Sequence, residues 1–231
     1  MKKMTLIAIL SLTTITLTGM QAQAAVSSTG HSENKINFTA GDNEVTEPID
    51  PTDPDNPNPP NPIDPADPDN PGTGEEGPLS IDYVSNIKFG EHKISGKNIS
   101  YKAINQNPFV QVTDTRGFGE GWSLSAKISK FKNGNKVLQG ATLSMVNGIV
   151  KSGSTSNISK PPVNYDIIFD NEESKLVLSA KDKAGRGTWL NVWSGANKAN
   201  EAIQLNVLAG TAEANTEYSS SITWELEDAP K

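Results

Sequence analysis

Residues 79–231 predict an all-β fold, a single β-sandwich that is Ig-like or a partly closed barrel, and three observations carry that prediction. First, apolar and polar residues alternate with a period of two, which puts the apolar side chains of each run on one face of a pleated strand. Trp122, Leu124, Ala126 and Ile128 alternate with Ser123, Ser125, Lys127 and Ser129, and Ile222, Trp224 and Leu226 alternate with Ser221, Thr223, Glu225 and Glu227. Second, Gly and Asn clusters of the kind that tight turns require separate the runs, among them Asn133-Gly134-Asn135, Asn147-Gly148, Ser152-Gly153-Ser154, Lys183-Ala184-Gly185 and Ser194-Gly195-Ala196. Third, no run has convincing helical periodicity; residues 197–202 hold at most one helical turn.

From the start of the chain, residues 1–24 read as a secretory signal peptide. Lys2 and Lys3 supply the positive end, an apolar run softened by threonines follows, and Ala22-Gln23-Ala24 offers small residues for cleavage between Ala24 and Ala25. The apolar run is too short for a comfortable bilayer span, so no membrane span is expected once it is removed. The chain has no cysteine, so a disulfide framework is excluded and the core alone must hold the fold.

Residues 25–46 form a polar leader. It contains one alternating piece, Lys35-Ile36-Asn37-Phe38-Thr39, which either returns as a strand on an edge of the later domain or stays disordered. Residues 47–78 hold eleven of the fifteen prolines, nine of them in two runs spaced by three. That spacing is one turn of polyproline II, so the segment is expected to be a disordered but stiff spacer, reaching roughly 100 Å if extended at about 3.1 Å per residue. A ligand for a proline-reading module or a weak cation site is the sharper alternative, with no aromatic or basic anchor beside the prolines to support it.

Charge divides the chain. Residues 40–79 contain eleven acids and no Lys or Arg, whereas residues 80–231 contain seventeen basic against fifteen acidic residues, a net of +2. The acidity belongs to the spacer. The near-neutral remainder has no basic footprint for nucleic acid.

Within the globular part, alternation recurs at Ile81-Tyr83-Ser85-Ile87-Phe89, Ala141-Leu143-Met145, Ile167-Phe169, Leu176-Leu178-Ala180 and Ile203-Leu205-Val207. The chemistry is sparse. His31 lies in the leader and His92 in a polar loop, so no Ser-His-Asp arrangement and no His-rich metal site is expected. Asp170 with Glu172 and Glu173, and Glu225 with Glu227 and Asp228, are paired carboxylates in a turn and on a polar strand face, not two groups set across a sugar cleft. No Gly-rich phosphate loop and no calcium loop occurs, so no cofactor is expected and the chain reads as non-enzymatic. Four tryptophans remain: Trp122, Trp189, Trp193 and Trp224. Each is either core or an aromatic platform for a sugar face or a partner, because periodicity says which residues share a face and not whether that face is covered.

These features together resemble a small WxL-domain surface protein of Gram-positive bacteria. The resemblance rests on the exported leader, the Asp-Pro-Asn spacer, Pro78-Leu79-Ser80-Ile81-Asp82-Tyr83-Val84, Gly119-Glu120-Gly121-Trp122-Ser123-Leu124, Leu138-Gln139-Gly140-Ala141-Thr142-Leu143, Gly185-Arg186-Gly187-Thr188-Trp189 and the terminal Trp224-Glu225-Leu226. It implies a secreted protein held non-covalently on the cell wall, with peptidoglycan or an associated polymer as ligand. It also implies partners: a larger WxL protein and a membrane-anchored surface protein. The family's named residues fall here on Trp122, Leu124, Trp224 and Leu226, as contacts or as the residues that hold the contacting strands; alternation alone favours the second. Non-covalent attachment agrees with the end at Asp228-Ala229-Pro230-Lys231, which carries no sorting motif. A docking subunit of a surface complex and a host-matrix adhesin are the alternatives.

Overall fold

The computed structural model describes residues 26–230; the signal peptide and its cleavage point between Ala24 and Ala25 lie outside the described residues. The chain divides into two units, Met1–Asn37 and Phe38–Lys231. Residues 26–37 are exposed and carry no regular structure. The alternating piece of the leader forms no strand, and Ile36 and Phe38 are 77% and 86% exposed.

The second unit is all-β, and no helix occurs among the described residues. Antiparallel pairing gives three four-stranded sheets and one two-stranded ribbon. The first sheet runs β1 (Leu79–Val84), β3 (Phe109–Asp114), β12 (Gly187–Val192), β8 (Ile149–Ser152). The second runs β10 (Ile167–Phe169), β7 (Thr142–Met145), β13 (Asn200–Val207), β2 (Ile99–Ala103). The third runs β14 (Ile222–Glu227), β4 (Trp122–Ile128), β11 (Lys175–Ala180), β9 (Val163–Asn164). The ribbon is β5 (Lys132–Asn133) with β6 (Lys136–Val137), turning at the Gly134 predicted from sequence. The sheets are open and packed as a β-sandwich requires, with no closed barrel.

One core serves all three sheets. Val110, Val112 and Trp189 come from the first, Leu143, Phe169 and Ile203 from the second, and Trp122, Leu124 and Leu178 from the third. A chain without disulfides depends on such burial, at about 1.5–3 kcal/mol for each large aliphatic side chain.

Two expectations need correction. Ile81 and Tyr83 share a parity in the sequence, yet Ile81 joins the main core and Tyr83 a separate cluster with Phe109, Leu190 and Val192 on the opposite side of the sheet. The cause is a register shift in β1, where Ile81 pairs with Val112 but Tyr83 with Gln111. Asp82 is the extra residue of this bulge, and one inserted residue turns every later side chain to the other face.

The second correction concerns the spacer. Residues 47–71 are not a free rod; they lie as a strap along the outer face of the first sheet. Ile49 and Ile63 pack onto the Tyr83 cluster, and Asp50, Asp64 and Asp67 are buried. Gln111 accepts a hydrogen bond from the Ile49 amide at 3.0 Å and donates to the Glu47 carbonyl at 3.1 Å, while Lys151 Nζ donates to the Pro51 carbonyl at 2.6 Å. Proline spacing sets the stiffness of a segment and leaves open what it touches. A segment whose prolines already restrict the backbone loses less conformational freedom on docking than an unrestricted chain would, and two isoleucines with a set of hydrogen bonds hold it.

Candidate functional site

The two Trp-x-Leu motifs lie on neighbouring antiparallel strands. Leu226 stands opposite Leu124, Trp224 opposite Ala126 and Ile222 opposite Ile128, so the register joins the apolar face of each strand into one face across β4 and β14. Their burial differs. Trp122 and Leu124 are 0% exposed, whereas Trp224 and Leu226 are half-buried. The reason is position in the sheet: β4 lies between β14 and β11, while β14 is an edge strand.

Trp122 is held from several sides. Its indole Nε1 donates to the Gly185 carbonyl at 3.0 Å. Gly185 sits at φ 72°, and a Cβ there would lie 2.4 Å from the Ala180 Cβ and 2.6 Å from Trp122 Nε1, so only glycine fits against the indole. Just upstream, Arg116 grips Asp114 through Nε to Oδ1 at 3.0 Å and Nη2 to Oδ2 at 2.9 Å, and Nη2 also donates to the Gly121 carbonyl at 2.8 Å. The hydrogen bonds to Asp114 push the guanidinium pKa still higher. This clamp joins the end of β3 to the start of β4. Trp122 and Leu124 thus have no accessible surface and pack within the core that supports β4.

Trp224 and Leu226 line an open groove with Leu79 and Ile81 of β1. The groove follows from the topology, because β1 and β14 are the edge strands of two different sheets. Glu75, Glu227, Asp228 and Ala229 complete its lining. The Ala229 carbonyl accepts a hydrogen bond from Ser123 Oγ at 2.8 Å, which ties the tail back to β4. An aromatic and aliphatic floor with carboxylates at the rim offers stacking to the C–H face of a sugar and acceptors to its hydroxyl groups. Of these residues, the sequence pattern singled out Trp224 and Leu226 as candidates. Leu79, Ile81 and Glu75 were missed as lining, because nothing local to them tells which strand edges meet.

The other candidate groups are engaged elsewhere. Asp170 pairs with Lys175 at 3.4 Å, Glu172 with Lys130 at 4.0 Å and Glu225 with Lys127 at 2.5 Å. His92 is exposed, with Nε2 2.7 Å from the Phe89 carbonyl oxygen and its ring tilted on Tyr101 at a centroid distance of 4.2 Å. Trp189 and Trp193 are core residues. Among the described residues, no group of three or more His, Asp or Glu is placed to hold a metal ion.

An open-sheet β-sandwich with an aromatic groove between two sheet edges has the form of a binding domain. Its class is confirmed by comparison: the model of the WxL family, described as a WxL domain that is surface cell wall-binding, matches residues 25–230. The chain belongs to the WxL family of cell wall-binding surface domains. No curated protein and no solved structure matches it.

Proposed function

We propose that this protein is a non-catalytic attachment module that holds itself non-covalently on the bacterial cell wall by binding peptidoglycan, or a polymer associated with it, in the groove of Leu79, Ile81, Trp224 and Leu226. The observation that carries this proposal is the unequal burial of the two motifs. Trp122 builds the floor of the third sheet from within, and Trp224 leaves part of its indole at an open groove edged by Glu75 and Asp228. Export through residues 1–24 delivers the chain to that polymer.

The test is sedimentation of the chain lacking residues 1–24 with protein-free sacculi. The unsubstituted chain is expected to pellet with the sacculi, and a folded Trp224→Ala variant to stay largely in the supernatant. Equal pelleting of both would remove the groove from the proposal; no pelleting of either would remove the wall as direct ligand.

A second surface supports a docking role toward a membrane-anchored protein or a larger WxL protein. Ile149, Val163, Tyr165 and Ile168 are 54%, 49%, 40% and 56% exposed. They cluster near the turn between β7 and β8, where Asn164 Nδ2 donates to the Gly148 carbonyl and the Asn147 amide to Asp166 Oδ1. They lie on or beside the edge strands β8, β9 and β10, the class of strand to which partner strands add.

A further inference from the structure

The strap contains one nonapeptide twice. Ile49-Asp50-Pro51-Thr52-Asp53-Pro54-Asp55-Asn56-Pro57 recurs as Ile63-Asp64-Pro65-Ala66-Asp67-Pro68-Asp69-Asn70-Pro71, with only Thr52 and Ala66 differing. The two copies fold alike. In each, the isoleucine enters the Tyr83 cluster, and the first aspartate accepts the amide two residues on, Thr52 at 2.7 Å and Ala66 at 2.8 Å. The asparagine amide then returns to the second aspartate's carbonyl, at 3.0 Å for Asn56 and 3.3 Å for Asn70.

The seats differ while the motif stays the same. The first copy meets Gln111, Lys151 and the Thr155 amide, which donates to Asp55 at 3.1 Å. The second meets Asn105, which donates to Asp64 at 2.6 Å, Asn86, which donates to Asp67 at 2.8 Å, and the Val84 carbonyl, which accepts from Asn70 at 2.9 Å. None of these contacts uses the connection that follows. That connection carries Gly74 and Gly77 in open space, each at positive φ.

From this we infer that the outer face of the first sheet is a recognition site for the Ile-Asp-Pro-x-Asp-Pro-Asp-Asn-Pro motif, and that its second ligand is the strap of another copy of this chain. A strap docked in trans makes the same bonds as one docked in cis as far as Thr73, whose amide donates to the Asp82 carbonyl at 3.0 Å; the connection from Gly74 to Gly77 changes course and gives up the bridge of Val45 with Glu76, which is the low-cost route of domain swapping. Tethering favours the cis form by an effective concentration of about millimolar. Exchange therefore waits for crowding of the kind a cell surface provides. This inference uses the family's surface location and is independent of the groove.

The test titrates a fluorescent peptide of residues 47–71 with the chain lacking residues 1–24, either unsubstituted or carrying Ile49→Asp and Ile63→Asp to release its own strap. The peptide is expected to bind the released variant at least about tenfold more tightly than the unsubstituted chain, and a peptide with the same two substitutions to bind neither. A folded variant that ignores the peptide, or equal binding to both chains, overturns the inference. Should the variant fail to fold, unsubstituted seats serve. The chain has no cysteine, so a donor at Asn58→Cys and an acceptor at Ser154→Cys can be placed on separate molecules. Energy transfer between them should rise toward millimolar concentration, and its absence there overturns the inference equally.

Discussion

At the scale of single residues, Trp122 and Trp224 share a face and a motif but not a role. Trp122→Ala removes a fully buried indole and leaves the Gly185 carbonyl without its donor, so it should cost about 3–5 kcal/mol in urea unfolding. Trp224→Ala removes a half-buried side chain on an edge strand, so the expected loss is about 1–2 kcal/mol; wall binding should fall far more than stability does. A third residue gives a pH signature. Burial raises the Asp82 carboxyl above its ordinary 3.8, against the lowering effect of hydrogen bonds from Ser80, Thr113 and Gln111. Between 3.8 and the raised value the folded chain holds more proton than the unfolded one, so this group makes stability fall as pH rises through that window. Asp50 acts in the opposite sense. Burial works to raise it, but hydrogen bonds from Thr52 and its neighbours leave it below 3.8, so its contribution is present above that value and is lost as pH falls through the lower one. Urea midpoints across the acid range should show Asp82→Asn abolishing the first slope and leaving the second.

At the scale of elements, the strap behaves as part of the sandwich. Without it, Tyr83, Phe109, Leu190 and Val192 would face water together with the buried polar group formed by Asp82, Gln111 and Thr113. Ile63→Asp should therefore open residues 47–71 to proteolysis while the circular dichroism of the strands persists; protection equal to that of the unsubstituted chain would show that the isoleucine anchors are not what hold it. How much of this was legible follows from what each pattern encodes. The strands β4 and β14, the apolar face of each and the turns between strands were readable because each depends on residues adjacent in the chain. The flip at Asp82 was not, since a bulge needs only one extra residue and leaves the alternation intact. The docked strap was missed because its composition was read as stiffness, although the repeat of Ile-Asp-Pro was there to find. The different fates of Trp122 and Trp224 depend on which strand ends a sheet, a property of the topology that no local window contains.

At the scale of the whole molecule, charge is separated in space as it is in the chain. The eleven acids of residues 40–79 belong mostly to the strap, on the outer side of the first sheet, while residues 80–231 carry a net of +2. A nearly neutral domain with an acid-edged groove has little electrostatic pull toward an anionic wall polymer, and its strap face would be repelled by one. Binding through stacking and hydrogen bonds to an uncharged glycan should then depend weakly on ionic strength, because such contacts pair no opposite net charges for salt to screen, even as the Debye length falls from about 10 Å at 0.1 M salt to about 3 Å at 1 M. Pelleting with sacculi is expected to change by less than about twofold between those two salt concentrations. A loss of tenfold or more would mean that lysines on the outer surface meet an anionic polymer, and the ligand would then be sought among phosphate-bearing wall polymers instead of the glycan. A rise with salt would instead point to repulsion between the strap and the wall. Neutralising Asp53, Asp55 and Asp69 to Asn, all exposed on the strap, should then reproduce that rise at low salt.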